Sequence, residues 1–568
     1  MMDLIKELKS LVSVVELKDI VNTENLNADK IKENVKKKFE NTKEGLENLK
    51  LDNVKTWITY GDTEVGKLYN GKMTNRRREW RGVKSTLIDF KGWCGIWKDM
   101  LAFSAGSPRI PLGFLEYRWM ASYLTVPSFV DRNTIGLRGP QLEIAHLHFR
   151  KVLKAGEDNI TTLIKNDQKL GASVEASKKI VLFDEMMMIQ IMCGFPNLIG
   201  LPYQLMPVFL LSEIDQLSCT YYIDAIESFG LPSETCPVPT SEAGAAVVDA
   251  YPKVGCCFIS SSMPCDGSIM ASSYQSRRFK VPTFHLTLPV RFKDGDTDKV
   301  AAQEIKNCIK FIEEQTGEKF DWDAYFTCMK RWNKETAMEL EKWDINKTDY
   351  PQITGPSYEL FRKYSYQMEG ARDPEWYDLY CKVNKIMHEA YEKKTMCSRG
   401  MNYRAITWSC PAHYYANFSV WAEACWGINV VIDMENMNYT EFMSEDDPEQ
   451  AYLDLAKLYE RMTMRKHTNG GYANTLDELW RVVEEFNIDL VFMYQHVACK
   501  TMAGLQGLFD EQARERGVKL IWIEHDLMDP RTVSRRSMRD KVNSYMINVM
   551  RAEPVDASLM DYDDADTW

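Results

Sequence analysis

Between Asp489 and Arg531 the chain reads DLVFMYQHVACKTMAGLQGLFDEQARERGVKLIWIEHDLMDPR, and the order of its parts leaves few folds open. Leu490 to Tyr494 is an apolar run of strand length, rich in β-branched and aromatic side chains. A polar turn carrying Cys499 and Lys500 follows, then a helical pattern from Met502 to Arg516, closed by Gly517 where a left-handed cap is cheapest. A second strand over 519–524 runs into His525 and Asp526. Asp529-Pro530 then has the form of an N-cap and first turn, which predicts another helix. Strand, helix and strand in that order call for a parallel sheet. Cys499, His525, Asp526 and Asp529 all fall at the carboxyl ends of strands, where open α/β sheets bind ligands.

The same alternation recurs upstream. Strands are expected at 179–183, 254–260 and 283–290, and again at 403–408 and 429–434. Helices are expected at 241–250, from Ser268, and at 300–315, 322–343, 357–368, 374–394, 447–464 and 475–486. A chain of 568 residues is too long for a single core. The expected fold is therefore α/β, with two Rossmann-like lobes of parallel sheet joined by a helical segment, plus a helical N-terminal extension. The boundaries are an aromatic-rich, helical extension over 1–165, a first α/β lobe over 166–295 holding Cys236 and Cys265, a helical linking region over 296–400, a second α/β lobe over 401–550 holding Cys499, and an acidic tail over 551–568. From Asp556 onward that tail has no evident structure in sequence.

Charge and hydropathy exclude some roles. A formal charge of -12 leaves no basic face for general nucleic-acid binding. No apolar run is long enough to span a membrane, and the N-terminus lacks the features of a secretory signal, so the expected location is cytoplasmic. Residues 1–55 read as two charged amphipathic helices, solvated or facing a partner. Gly61 to Lys67 has phosphate-loop spacing, but Leu68 stands where that motif needs a hydroxyl for Mg²⁺, so nucleotide binding is not expected there. The aromatic-rich stretch from Trp80 to Arg150 reads first as core, with a packed lid, a subunit interface or the wall of an apolar pocket as alternatives.

In that compartment fourteen cysteines are thiols, and no CxxC pair occurs. Cys256 and Cys257 in VGCCFISSS, and Cys308 and Cys328 on helical patterns, read as small buried hydrophobes. Cys236, Cys265 and Cys499 differ. Cys236-Pro237 opens a helical stretch, while Cys265 and Cys499 follow a strand and precede a helix. Helix N-termini favour a thiolate, the form that ligates metals. Cys410 also ends a strand beside a proline and is the candidate fourth ligand. His496 and His525 are acid–base candidates; hydrogen bonding alone equally explains a histidine at a strand end. Asp529 and Arg531 are expected to be structural, Asp529 as the cap.

Taken in order, Cys236-Pro237, Cys265-Asp266-Gly267-Ser268, and Ala498-Cys499-Lys500 with the later Gly504 and Gln506 resemble the family of 2-hydroxyacyl-CoA dehydratases and ATP-dependent benzoyl-CoA reductases. The end of β-like segment 519–524 with Asp529-Pro530-Arg531, and Gly317-Glu-Lys-Phe320-Asp321, are similar to that family as well. The resemblance spans about residues 175 to 550 and is most specific over 490–531. Two positions depart from it: Val497 replaces a frequent basic residue, and Tyr494 a frequent histidine.

The resemblance implies a [4Fe-4S] cluster held by Cys236, Cys265 and Cys499. It also implies an acyl-CoA thioester substrate, a homologous second subunit, and a separate ATP-hydrolysing iron–sulfur activator. With three thiolates where such a cluster takes four, one iron stays open to substrate. The implied reaction is that of a lyase, in which one low-potential electron turns a 2-hydroxyacyl-CoA into a ketyl radical that loses water. Reduction of an aromatic acyl-CoA, as in benzoyl-CoA reductases, uses the same parts. A non-catalytic electron relay or scaffold, with a fully ligated cluster, is the third possibility.

Overall fold

The structure is a computed structural model that describes residues 83–560, apart from 135–136, 185–188, 263–264, 290–294, 356–363, 366, 369, 396–400, 438–439 and 470. The described residues belong to one compact unit, Glu64–Trp568. The charged N-terminal helices, the Gly61–Lys67 stretch and most of the expected 357–368 helix lie outside the described residues.

Two four-stranded sheets, parallel throughout, form the two lobes. In the first, β1 (Ile180–Phe183), β2 (Ile199–Pro202), β3 (Cys257–Ser261) and β4 (Thr283–Leu286) run in the order β2-β1-β3-β4. In the second, β5 (Tyr403–Trp408), β6 (Ile428–Asp433), β7 (Leu490–His496) and β8 (Lys519–His525) run β6-β5-β7-β8. The two orders are the same, so the lobes repeat one topology. Strands buried on both faces should be apolar without alternation, and every residue of β1, β3 and β6 is buried. Chain direction across the sheet reverses at β1 and at β5, and the crevices beyond β1/β3 and β5/β7 are where such sheets bind ligands.

The principal helices are α1 (Val83–Ala105), α2 (Gly139–Lys165), α3 (Pro237–Val247), α4 (Asp266–Phe279), α5 (Gly295–Thr316), α6 (Trp322–Asn346), α7 (Pro374–Glu392), α8 (Pro448–Glu460), α9 (Tyr472–Glu485), α10 (Gln506–Arg516) and α11 (Arg535–Asn548). Asp321 starts α6, its carboxylate accepting the Ala324 N–H, behind Gly317 at φ +75°. Gly517 closes α10 at φ +71°. The aromatic stretch is core in part: Tyr117, Trp119, Tyr123, Phe129 and Phe149 pack in one cluster with Leu182 and Leu201 of the first sheet, whereas Phe90, Trp93 and Trp97 of α1 are exposed.

Side chains fasten the lobes to each other and to the linking region. Buried Arg465 donates to the carbonyls of Leu288 (2.8 Å) and Pro289 (2.7 Å), and Asn346 at the end of α6 donates to Val431 O (2.9 Å). Ser212 Oγ lies 3.2 Å from His413 Nδ1.

Four local expectations are corrected. Asp529 does not cap a helix: Asp526 accepts the N–H groups of Met528 (2.9 Å) and Asp529 (2.8 Å), which turns the chain, and α11 starts only after Ser534. The helix after Cys499 is broken, with a short turn at Lys500–Ala503 ahead of α10. The stretch 447–464 is likewise α8 followed by a separate helix, Thr463–Asn469. Part of the C-terminal stretch is structured: Asp556 caps a short helix, Ala557–Leu559, and buried Leu559 packs in the second lobe while its carbonyl accepts Trp421 Nε1–H (3.0 Å). Strand β2 was not anticipated.

Candidate functional site

Each of the three singled-out cysteines is the residue at which a helix begins. Cys236 is the N-cap of α3, Cys265 of α4, and Cys499 of the Lys500–Ala503 turn. Cys265 and Cys499 occupy equivalent places, shortly beyond β3 and β7, the third strands of their lobes. Cys236 does not follow a strand; the helix Thr220–Ser228 precedes its loop. Proline at the first turn of α3 supplies a φ preset for the helix and lacks the N–H that would need a partner there.

Two glycines draw these helix starts together. At Gly267 a β-carbon would sit 2.9 Å from Pro239 Cγ and 3.5 Å from Cys265 Sγ, so only glycine lets the start of α4 approach α3 this closely. At Gly244 a β-carbon would be 2.0 Å from the Tyr222 carbonyl oxygen, so α3 lies directly on the preceding helix.

Cys236, Cys265 and Cys499 line one cavity of about 460 Å³ between the lobes, together with Cys410 and His496. Its wall is mainly apolar, with Phe209, Val238, Met434 and Leu527. The amides of Val238, of Gly267 and Ser268, and of Thr501 and Met502 favour the thiolates of Cys236, Cys265 and Cys499 respectively, although no sulfur makes a well-formed capping hydrogen bond.

Burial outweighs those amides. It pushes all three thiols above their ordinary range, most strongly Cys236, which also feels Cys265 and Cys499. The helix-start amides act on the sulfurs in the expected direction, and burial is the larger effect. Among the described residues no three His, Cys, Asp or Glu side chains converge tightly enough to chelate a single ion. The three sulfurs that line the cavity are soft donors, the kind that suit copper(I), zinc and iron–sulfur groups.

The remaining candidates separate by position. His496 Nε2 lies 3.4 Å from Cys236 Sγ, and burial pushes the imidazole down to about 4, so it is neutral at pH 7. His525 is wholly buried, pushed down to about 3, and packs edge-on to Tyr494 away from the cavity wall. Arg531 grips Asp529 (2.7 Å) and Asp224 (2.9 Å) rather than facing the cavity. Cys257 is buried in β3, and Cys256 adjoins its amino end, away from Cys265. Cys308 and Cys328 are core residues.

Sequence alone did not single out Glu242, Glu435 and His413. Glu242 is buried on α3 and lines the cavity, on the same helix as Cys236. Glu435 follows β6 just beyond the cavity-lining Met434. His413, close behind Cys410-Pro411, stands edge-on to Phe209, with ring centroids 4.4 Å apart. Placement after a strand end was the available signal for the last two.

Compared with models of known families, residues 217–546 match the 2-hydroxyglutaryl-CoA dehydratase D-component. The match takes in all three cysteines and the whole of the second sheet. No curated protein matches the sequence.

Proposed function

The chain belongs to the 2-hydroxyglutaryl-CoA dehydratase D-component family; on that premise we propose that it is a component of a 2-hydroxyacyl-CoA dehydratase, holds a [4Fe-4S] cluster on Cys236, Cys265 and Cys499 and takes part in eliminating water from a 2-hydroxyacyl-CoA. The single observation that carries the proposal is that three thiols at helix starts, Cys236 and Cys265 from the first lobe and Cys499 from the second, line one largely apolar cavity. Held by Cys236, Cys265 and Cys499, such a cluster would supply low-potential one-electron chemistry and, with three protein ligands, an open coordination position.

The chain's own residues do the rest. The three helix starts direct amide dipoles at the thiolates and share their negative charge. Phe209, Val238, Met434 and Leu527 keep water from the acyl group, which protects a reactive intermediate. His496, held neutral, donates to the Cys236 sulfur from its Nε2–H tautomer and does not add a charge. The partner subunit expected of a dehydratase system and a separate ATP-hydrolysing activator would complete the enzyme. No helix among the described residues is long and apolar enough to cross a membrane.

One observation supports a second reading. Cys410 lines the same cavity, and as a fourth ligand it would close the cluster and leave an electron relay. Anaerobic iron and sulfide analysis with EPR, on the wild type and on Cys410→Ser, separates the two: an unchanged spectrum favours the open site. Assay of the complex with activator on 2-hydroxyacyl-CoA and benzoyl-CoA esters tests the reaction. Turnover of only the aromatic ester would overturn the dehydratase assignment.

A further inference from the structure

A second feature lies outside the family match, on α1. One side of this 23-residue helix is seated firmly on α2. Ser85, Ile96, Met100 and Phe103 are buried there, and Asp89 and Asp99 pair with His146 (2.9 Å) and Arg150 (3.0 Å for Nη2). Gly92 and Gly95 permit the close fit, since a β-carbon at Gly92 would lie 2.3 Å from His146.

The opposite side is apolar and open to solvent. Val83, Leu87, Phe90, Trp97 and Leu101 each keep 36–65% of their surface exposed, and Cys94 completes the series. Steps of four and three residues alternate along the whole run, which is the spacing of the two facing positions of a heptad. Trp93 adds its edge to Trp97, centroids 5.6 Å apart. A row of exposed large apolar groups on a helix about 34 Å long marks an interaction surface.

Charge selects the occupant. Lys84, Lys91 and Lys98 stand one heptad apart beside the apolar row, and all three are exposed. In paired helices that flank chooses the partner through ion pairs. A second copy would set lysine against lysine in an antiparallel pair. In a parallel pair Lys91 and Lys98 would meet Thr86 and Trp93, neither of which bears a charge. A strict two-per-heptad stripe is also narrower than the face a helix lays on a bilayer, and a chain of net charge -12 is repelled by anionic lipid. We propose that α1 is the docking seam for an amphipathic helix of a partner protein, apolar along its centre and acidic along its flank. This seam lies outside residues 217–546 and stands independently of the dehydratase assignment.

The test titrates the full-length protein into two labelled helical peptides matched to the length of α1, with leucine at the facing positions and either glutamate or lysine along the flanks. Fluorescence anisotropy should show the glutamate peptide binding at least tenfold more tightly, with the gap narrowing as salt rises. Leu87→Glu with Trp97→Glu should abolish binding while leaving the circular dichroism and iron content unchanged. Lys84→Glu, Lys91→Glu and Lys98→Glu together should reverse the preference. Equal affinities, or no binding of either peptide, would overturn the proposal. So would self-association, or partitioning onto phosphatidylserine vesicles, that the Leu87→Glu, Trp97→Glu protein loses.

Discussion

The imidazole Nε2 of His496 lies 3.4 Å from Sγ of Cys236, across the boundary between the lobes and 260 residues away in sequence. A donor to a sulfur tunes it, whereas a ligand holds the metal itself. His496→Ala is therefore expected to lower iron retention by part, measured as iron per chain after anaerobic gel filtration. Loss as complete as in a ligand variant would make His496 a ligand instead.

Cys236→Ser, Cys265→Ser and Cys499→Ser should each lose the bound iron and its visible absorbance, because a serine hydroxyl is a poor iron ligand at neutral pH. Cys256→Ser and Cys257→Ser should keep both and cost about 1 kcal/mol of stability through an imperfectly satisfied hydroxyl. A Cys499→Ser protein with full iron content would remove the cluster assignment.

Gly244→Ala tests the positioning of Cys236 without touching a thiol. The added methyl meets the Tyr222 carbonyl at 2.0 Å, and backbone must move. A loss of roughly 1–3 kcal/mol in denaturant unfolding is expected from the overpacking, together with reduced iron loading. Unchanged loading would show that the site tolerates a shift of α3.

Glu157 gives a pH signature. Burial, with Asp99 and Asp158 nearby, pushes its carboxyl up to about 8 from 4.5. The folded chain keeps a proton that the unfolded chain releases above pH 4.5, so this group's stabilisation fades as pH rises from 4.5 to about 8. Glu157→Gln should remove that decline. On the order of 2–4 kcal/mol separates the two proteins' changes in unfolding free energy between pH 5 and 9. Parallel curves would mean that Glu157 is ionised in the fold.

Asp529→Ala should cost about 1 kcal/mol by loosening the turn and releasing the half-exposed Arg531, since exposed ion pairs contribute little. Turnover in the assembled enzyme should survive. Loss of turnover at unchanged stability would give Asp529 a chemical role.

Much of the architecture was legible in the residues, because it rests on signals a few residues long. Strand β5 was placed at Tyr403–Trp408 as found, Gly517 marked the end of α10, and the repeated strand–helix alternation implied parallel sheets in two lobes. Strand β2 escaped because IGLP carries a glycine and a proline that locally read as a turn, and only its pairing with β1 makes it a strand. The Asp529-Pro530 cap signal was equally local, and it lost to the two amides gathered by Asp526.

The sequence by itself determined which cysteines begin helices, since a proline after Cys236 and strand ends ahead of Cys265 and Cys499 are short-range facts. Only the tertiary structure decided that the three share a cavity with Cys410 and His496, and that their thiols are raised. The cavity's walls come from both lobes, and desolvation depends on everything that surrounds a sulfur. A helix start acts through the few amides of its first turn. Burial removes the water from every side, and here it is the larger effect.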